Sequence, residues 1–224
     1  NCTASVDQVS KYPNTSSPAA MEGTAAHELG DLCLSNYNKS PGEYLGKYLK
    51  DEPTIMINAE MILHIQDYVD YVHSFMNPTS VLMVEARVSY SDYAHNGFGT
   101  SDVVLINDDV CHIIDLKYGR GISVDADNNT QLMLYALGVY QEFYFKYDFK
   151  HFELHIFQPR TKNITQWSIS LDDLLAFGEK VKRASYDILN DNTTYAPSDK
   201  ACQWCNHKGN CNALQKHTEK IIGS

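Results

Sequence analysis

Two apolar runs, residues 103–106 and 110–114, stand on either side of Asn107-Asp108-Asp109. Short Val- and Ile-rich runs separated by turn-forming residues predict two strands joined by a tight hairpin. A hairpin brings its two open ends together, so the residue before the first run lies beside the residues after the second. Asp102 stands before the first and is expected to open its strand. Asp115-Leu116-Lys117 comes after the second, just ahead of Gly119 and Gly121. Strand alternation puts Asp115 and Lys117 on one face and turns Leu116 into the core. Two carboxylates and an ammonium are therefore predicted to converge at one end of a sheet, where neither Asp has an evident structural reason to be.

That set has a chemical reason. Paired carboxylates at a sheet edge make a hard-oxygen site suited to Mg²⁺ or Mn²⁺. A metal there can hold and polarise a phosphate, and a nearby ammonium can orient a water or stabilise developing charge. A bare Asp-x-Lys on a strand is usually a surface pair. Here it comes at the end of a hydrophobic strand and answers an Asp on the preceding one. A helix carrying Gln131 and Tyr135, which fall on one helical face, comes next.

The chain is 224 residues long and 43% apolar, enough for one large domain, or a domain with a small appendage, with a real core. No apolar run reaches the length of a membrane span, and no secretory signal is visible. The chain opens without Met, which leaves room for an upstream piece. The net charge of −10 argues mildly against a nucleic-acid partner. Acidic metal sites raise that negative count, however, and a local basic groove is enough to hold DNA. Its candidates are Lys117, Arg120, Lys146, Lys150, Arg160 and Lys162, joined by Lys200, Lys208, Lys216 and Lys220 near the C-terminus.

In chain order, residues 12–18 read as loop, and Ser16 or Ser17 caps a helix over residues 18–34 with Pro18 in its first turn. Ala20, Gly23, Thr24, His27 and Asp31 fall near one stripe of it, so small residues let it approach the sheet while His27 looks toward the carboxylates. Residues 36–54 read as loop, and residues 55–76 as a packing helix with a stripe from Ile55 to Phe75. Residues 81–90 read as the first core strand. Glu85 sits there among Val84, Ala86 and Val88, and needs a partner or a metal unless it faces water from an edge. Strands are also predicted over residues 151–157 and 164–169. A second long helix is predicted over residues 171–189, capped by Ser170.

Cysteines form a second constellation, Cys202-x-x-Cys205-x5-Cys211. Three cysteines this close suit a metal, and a chain without a secretion signal disfavours disulfides. Tetrahedral coordination needs a fourth ligand, and for zinc His207 or His217 can supply it. Cys33 and Cys111 fall in a helix and a strand and read as buried small hydrophobes.

Asp102, Asp115-x-Lys117 and Gln131-x-x-x-Tyr135 together resemble the PD-(D/E)XK nuclease superfamily. Within it the likeness is to the RecB-like exonuclease branch, with its CRISPR-associated RecB-like iron–sulfur nucleases and phage recombination exonucleases. Gly23-Thr24-Ala25-Ala26-His27-Glu28 is similar to the His-bearing first motif, and Glu85 falls where the branch often has a Glu. The resemblance implies a restriction-endonuclease-like α/β core, with a mixed central sheet flanked by helices. It implies one nuclease domain over residues 1–224, in which residues 198–214 and Cys2 form a Cys-rich cap joining the termini. It implies His27, Asp102, Asp115 and the Leu116 carbonyl as metal ligands, Lys117 at the attacking water, and Gln131, Tyr135 and Glu85 in support. Cys2 would join Cys202, Cys205 and Cys211 around a [4Fe–4S] cluster, with zinc as the alternative. The implied activity is metal-dependent hydrolysis of DNA, exonucleolytic by the Gln-x-x-x-Tyr marker, in phage or bacterial recombination. The implied setting is the cytoplasm of a bacterial or phage-infected cell, with a recombination or single-strand-binding protein as partner and no membrane. An endonuclease or resolvase of the same fold and a non-catalytic nucleic-acid-binding module are the alternatives. Cleavage polarity, strand preference and oligomeric state stay open.

Overall fold

The computed structural model describes residues 2–13 and 17–222. Its elements run α1 (Ser5–Val9), α2 (Pro18–Leu34), α3 (Ala59–Ser74), β1 (Val81–Ser89), β2 (Phe98–Asn107), β3 (Val110–Leu116), α4 (Thr130–Phe143), β4 (His151–Gln158), β5 (Asn163–Ser170), α5 (Leu171–Leu189), α6 (Asp199–Cys202) and α7 (Asn212–Ile222). Short 3-10 turns occur at Pro41–Tyr44, Pro159–Thr161 and Lys208–Asn210. The chain divides into two compact units: Ser16–Glu179, and the paired terminal segments Asn1–Thr15 and Lys180–Ser224.

The larger unit is built on a five-stranded mixed sheet in the order β1-β2-β3-β4-β5. All neighbours are antiparallel except β3 and β4, which run parallel across the crossover that carries α4. The β2–β3 hairpin turns at Asp108 and Asp109, where Asp108 takes φ +52, a left-handed backbone that Asp tolerates better than most residues. One face of the sheet, through Val103, Leu105, Ile114, Leu116 and Phe157, joins α2 and α3 in a single buried cluster. Residues of the other parity, Val104, Ile106, Ile113, Leu154 and Ile156, are equally buried, and α4 packs on β1 to β4. Each such Val, Leu or Ile contributes about 1.5–3 kcal/mol by leaving water. The central strands are apolar on both faces for that reason.

The helices start where their caps lie. The Ser17 hydroxyl accepts from the Ala20 N–H (3.2 Å), and Pro18 occupies the first turn of α2. Ser16, the other candidate cap, lies outside the described residues. α3 begins at Asn58, whose side chain accepts from the Met61 N–H (2.9 Å), and not at Ile55. Residue 55 belongs instead to an irregular segment tied by a Tyr48–Met56 bridge. The buried stripe of α3 is Met61, Ile65, Tyr68, Val69 and Val72. Between α3 and the sheet lies a polar inclusion: the Tyr71 hydroxyl is 2.8 Å from His155 Nδ1, and His155 Nε2 is 3.1 Å from His112 Nδ1.

β2 starts at Phe98, so Asp102 is a mid-strand residue and not the opening one. Here the first two strands change layer. Alternation should put Val84, Ala86 and Val88 on one face. Val84 nevertheless packs with the α2–α3 cluster, while Val88 lies against α4, where a Cβ on Gly138 would come within 2.9 Å of it. β2 behaves alike: Val103 belongs to the α2–α3 cluster, and Gly99 abuts Tyr135 of α4. The switch falls at Glu85, which has φ +48, and at Asp102; the ladder pairs Val84 with Val103 and Ala86 with Ser101. A left-handed residue that is not Gly costs about 1–2 kcal/mol, so the surroundings hold Glu85 in place.

In the smaller unit the N-terminal segment is bound to the C-terminal one. The Ala4 N–H donates to the Thr194 carbonyl (3.2 Å), the Thr194 N–H to the Thr3 hydroxyl (2.8 Å), and Tyr12 Oη lies 3.1 Å from His207 Nδ1. Among the described residues no helix is long and apolar enough to cross a membrane.

Candidate active site

The hairpin geometry brings the predicted carboxylates together. Val103 pairs with Ile114, so Asp102 and Asp115 are the next residues on adjacent strands. Asp102 is fixed by its neighbour's backbone, since the Leu116 N–H donates to its Oδ2 at 2.6 Å. Its Oδ1 lies 3.2 Å from His27 Nδ1 on α2. Leu116 itself is fully buried, as alternation requires, and Asp115 is 2% exposed.

The tightest potential ligand group is His27, Glu85 and Asp102, whose ligand atoms lie within 4.8 Å of one another. Glu85, which sequence alone leaves between a water-facing edge residue and a site residue, thus stands with the other two. Asp115 is turned toward Lys117, whose Nζ lies 3.1 Å from Oδ1 and 2.9 Å from Oδ2. The ammonium is aligned to hydrogen-bond only Oδ1, which leaves buried Oδ2 with no hydrogen bond. Lys117 also donates to Gln131 Oε1 (3.1 Å), and Gln131 Nε2 donates to Tyr135 Oη (2.7 Å). Asp115, Lys117, Gln131 and Tyr135 therefore form one hydrogen-bonded line.

The protonation states result from the crowding. Burial and the Asp102 charge push the Asp115 carboxyl up to about 6 against the pull of Lys117. Partial desolvation and the Asp102 charge also raise Glu85. Burial by itself lowers the His27 imidazole, but its hydrogen bond to Asp102 and the charges of Asp102, Asp115 and Glu85 outweigh it, so its pKa is raised. Lys117 is likewise raised, because Asp115 more than offsets burial, and it stands as a firm cation.

Supporting residues were less legible. Asn129 caps α4, its side chain accepting from the N–H groups of Gln131 and Leu132, and so fixes where Gln131 starts. Gly99 makes room for Tyr135, since a Cβ there would stand 2.4 Å from Cε1 of the ring. Asp31 and Asp51 line the same depression as His27, Glu85 and Asp102, and so do Ala20, Gly23 and Thr24 from the predicted stripe of α2. Glu28 is spent on structure: its carboxylate accepts from the N–H groups of Lys50 and Asp51 (2.9 and 2.8 Å). Several candidates for the basic groove are neutralised. Arg120 pairs with Glu60, Arg160 with Glu22, and Lys150 with Asp148.

In the smaller unit Cys2, Cys202, Cys205 and Cys211 line one cavity together with His207. All are free thiols. Among the described residues no three of these sulfurs come within 4.8 Å of one another. His207 is engaged by Tyr12, and His217 is not part of the cavity lining. Cys33 and Cys111 are buried, and desolvation raises both thiols.

A family model described as "Protein of unknown function (DUF2800)" matches residues 1–223. The chain belongs to that family. Among solved structures, "Crystal structure of SSO0001" is similar to this DUF2800 protein over 68% of either chain, with 16% identity and a TM-score of 0.33.

Proposed function

We propose that this DUF2800 protein is a divalent-metal-dependent deoxyribonuclease of the RecB-like type, acting exonucleolytically in bacterial or phage DNA recombination in the cytoplasm. The observation that carries the reading is a single continuous arrangement. The His27, Glu85 and Asp102 ligand group adjoins the line Asp115, Lys117, Gln131 and Tyr135. The donor set fits the metal: one imidazole nitrogen and carboxylate oxygens, with buried Asp115 Oδ2 left without a hydrogen bond. His27, Asp102, Asp115 and the Leu116 carbonyl, with Glu85 added, are the groups that would hold Mg²⁺ or Mn²⁺. When bound, that ion supplies Lewis acidity toward a phosphate oxygen and lowers the pKa of a water.

The chain's own residues do the rest. Lys117, kept cationic by Asp115, is suited to orient the attacking water and to meet negative charge on the phosphate, more than to abstract a proton. Gln131 accepts from the Lys117 ammonium alongside Asp115, and its amide donates to Tyr135. Asp102, tied to the Leu116 N–H, joins the middle of β2 to the end of β3. In the smaller unit the four thiols that line one cavity would hold a structural [4Fe–4S] cluster, with zinc as the alternative.

The test is cleavage of end-labelled linear single- and double-stranded DNA and of a closed circle, each with Mg²⁺, Mn²⁺ or EDTA. Metal-dependent shortening of the linear DNAs alone is expected. Lys117→Ala should lose about 10²–10³-fold or more in kcat while keeping the folded circular-dichroism spectrum. Cutting of the circle moves the assignment to an endonuclease. Undiminished turnover in Lys117→Ala overturns the catalytic line.

A further inference from the structure

The change of layer at Glu85 and Asp102 has an outer side. Beyond it Val88 and Gly99 face α4, which leaves Arg87, Phe98 and Thr100 exposed on the opposite side of the β1–β2 ribbon. Phe98 is 55% exposed, and the Arg87 guanidinium lies over its ring, 4.1 Å from the centroid. Arg120 and Arg160 are engaged by carboxylates, but among the described residues Arg87 enters no salt bridge. Glu142, in the same depression, accepts from the Ser89 N–H at 2.7 Å.

The backbone that carries the ring is fixed. Phe98 pairs with Ser89, and Tyr90 Oη donates to the Phe98 carbonyl (2.7 Å). The connecting loop is closed by Tyr90 N–H to the Gly97 carbonyl (3.0 Å) and Gly97 N–H to the Ala94 carbonyl (2.7 Å). At about 3.3 Å per residue, Arg87 stands about 7 Å from Glu85 along its strand, and Phe98 about 13 Å from Asp102.

We propose that Phe98 and Arg87 form a stacking platform for single-stranded DNA, on which an unpaired base a few nucleotides from the cleaved phosphodiester seats against Phe98 while Arg87 meets the backbone phosphate. The proposal rests on the nuclease reading and adds its substrate class. A phenyl ring offers a π-face to any base, so the contact tolerates sequence. A guanidinium that stacks through its face keeps its N–H edges for phosphate. Paired bases inside a duplex are already stacked and cannot use the ring, so the platform selects unpaired strands. In a chain with a net charge of −10, an arginine without a carboxylate partner is a natural anchor for a polyanion.

The experiment measures binding of fluorescein-labelled oligo(dT) and of a blunt duplex to the whole protein in EDTA, with cleavage by the same proteins measured separately in Mg²⁺ or Mn²⁺. Phe98→Ala should weaken oligo(dT) binding by about 5- to 150-fold without changing its salt dependence, and leave duplex binding unchanged. Arg87→Ala should make the slope of log K against log salt shallower by about 0.7. Phe98→Trp should retain affinity and show indole quenching when oligo(dT) is added. Equal oligo(dT) affinity for wild type and Phe98→Ala overturns the platform, and so does an equal loss on the duplex or no binding by the wild type. Metal-dependent cleavage with Phe98-independent binding sinks the platform but spares the nuclease. Phe98-dependent binding without cleavage under either metal does the reverse.

Discussion

Acidification should expose the cost of the histidine buried in the sheet. His155 is fully buried between α3 and the strands, with Tyr71, Phe75 and His112 around it. If the Tyr71 hydroxyl donates to Nδ1 and Nε2–H donates to His112 Nδ1, a neutral His155 has both nitrogens satisfied. Burial, aided by His112, pulls the imidazole down to about 3 from its usual 6.5. Burial also lowers His112, against the pull of Glu153. The folded pKa is the depressed one, so the stabilisation is present above 6.5 and is lost as pH falls from there toward 3. Linkage gives about 2 kcal/mol lost between pH 7.5 and pH 5.0 from His155 alone, with a limiting slope of about 1.4 kcal/mol per pH unit. Urea unfolding at a series of pH values measures this directly. His155→Gln lowers stability at neutral pH but should flatten the curve, so the wild-type-minus-variant difference shrinks by about 2 kcal/mol on acidification. Carboxylates titrate alike in both proteins and cancel in that difference. Parallel curves would refute the reasoning.

Packing and ligation give two further outcomes. Gly99→Ala drives a methyl into Tyr135, and about 1–3 kcal/mol of stability should be lost together with the Gln131–Tyr135 hydrogen bond. A Tm drop accompanied by reduced kcat checks this, and an unaltered Tm counts against the close contact. Cys205→Ser should bleach the visible absorption of anaerobically purified protein and lower its Tm before any effect on chemistry; one zinc per chain with no labile sulfide would remove the cluster.

Much of the fold was legible because it obeys local rules. The start of α2 comes from a Ser-Pro pair, and β3 from an apolar run that the strand overshoots through Asp115 and Leu116. α5 begins right after Ser170, whose hydroxyl accepts from the Asp173 N–H. The errors have physical causes. Ile55 and Ile57 continue an apolar pattern, but Asn58 captures the helix start by capping. α7 escaped notice because it buries no residue and offers no core stripe to read. In the site, Asp102, Asp115 and Lys117 were readable because hairpin register is local, whereas helical spacing puts Gln131 and Tyr135 on one face and only the resemblance points that face at the site. Glu85, Gly99 and the His112–His155 contact depend on strands meeting across the sheet, and on a backbone angle that composition does not encode. One usable signal was present: a Gly inside a strand, as at Gly99, marks a close approach. Nothing local named Tyr135 as the group that approaches.

The crossing at Glu85 and Asp102 also makes the site a mechanical joint. On one side of it the β1–β2 ribbon is anchored by α2 and α3, and on the other by α4. An ion drawn between His27, Glu85 and Asp102 would pin a helix of the first layer to the pivot of the ribbon. The outer ribbon, with Arg87 and Phe98, rests on α4 and would share that pivot. Loading the proposed centre would then tie the two layers together at one point, and slowed amide exchange over residues 86–101 on adding Mn²⁺ would be its trace.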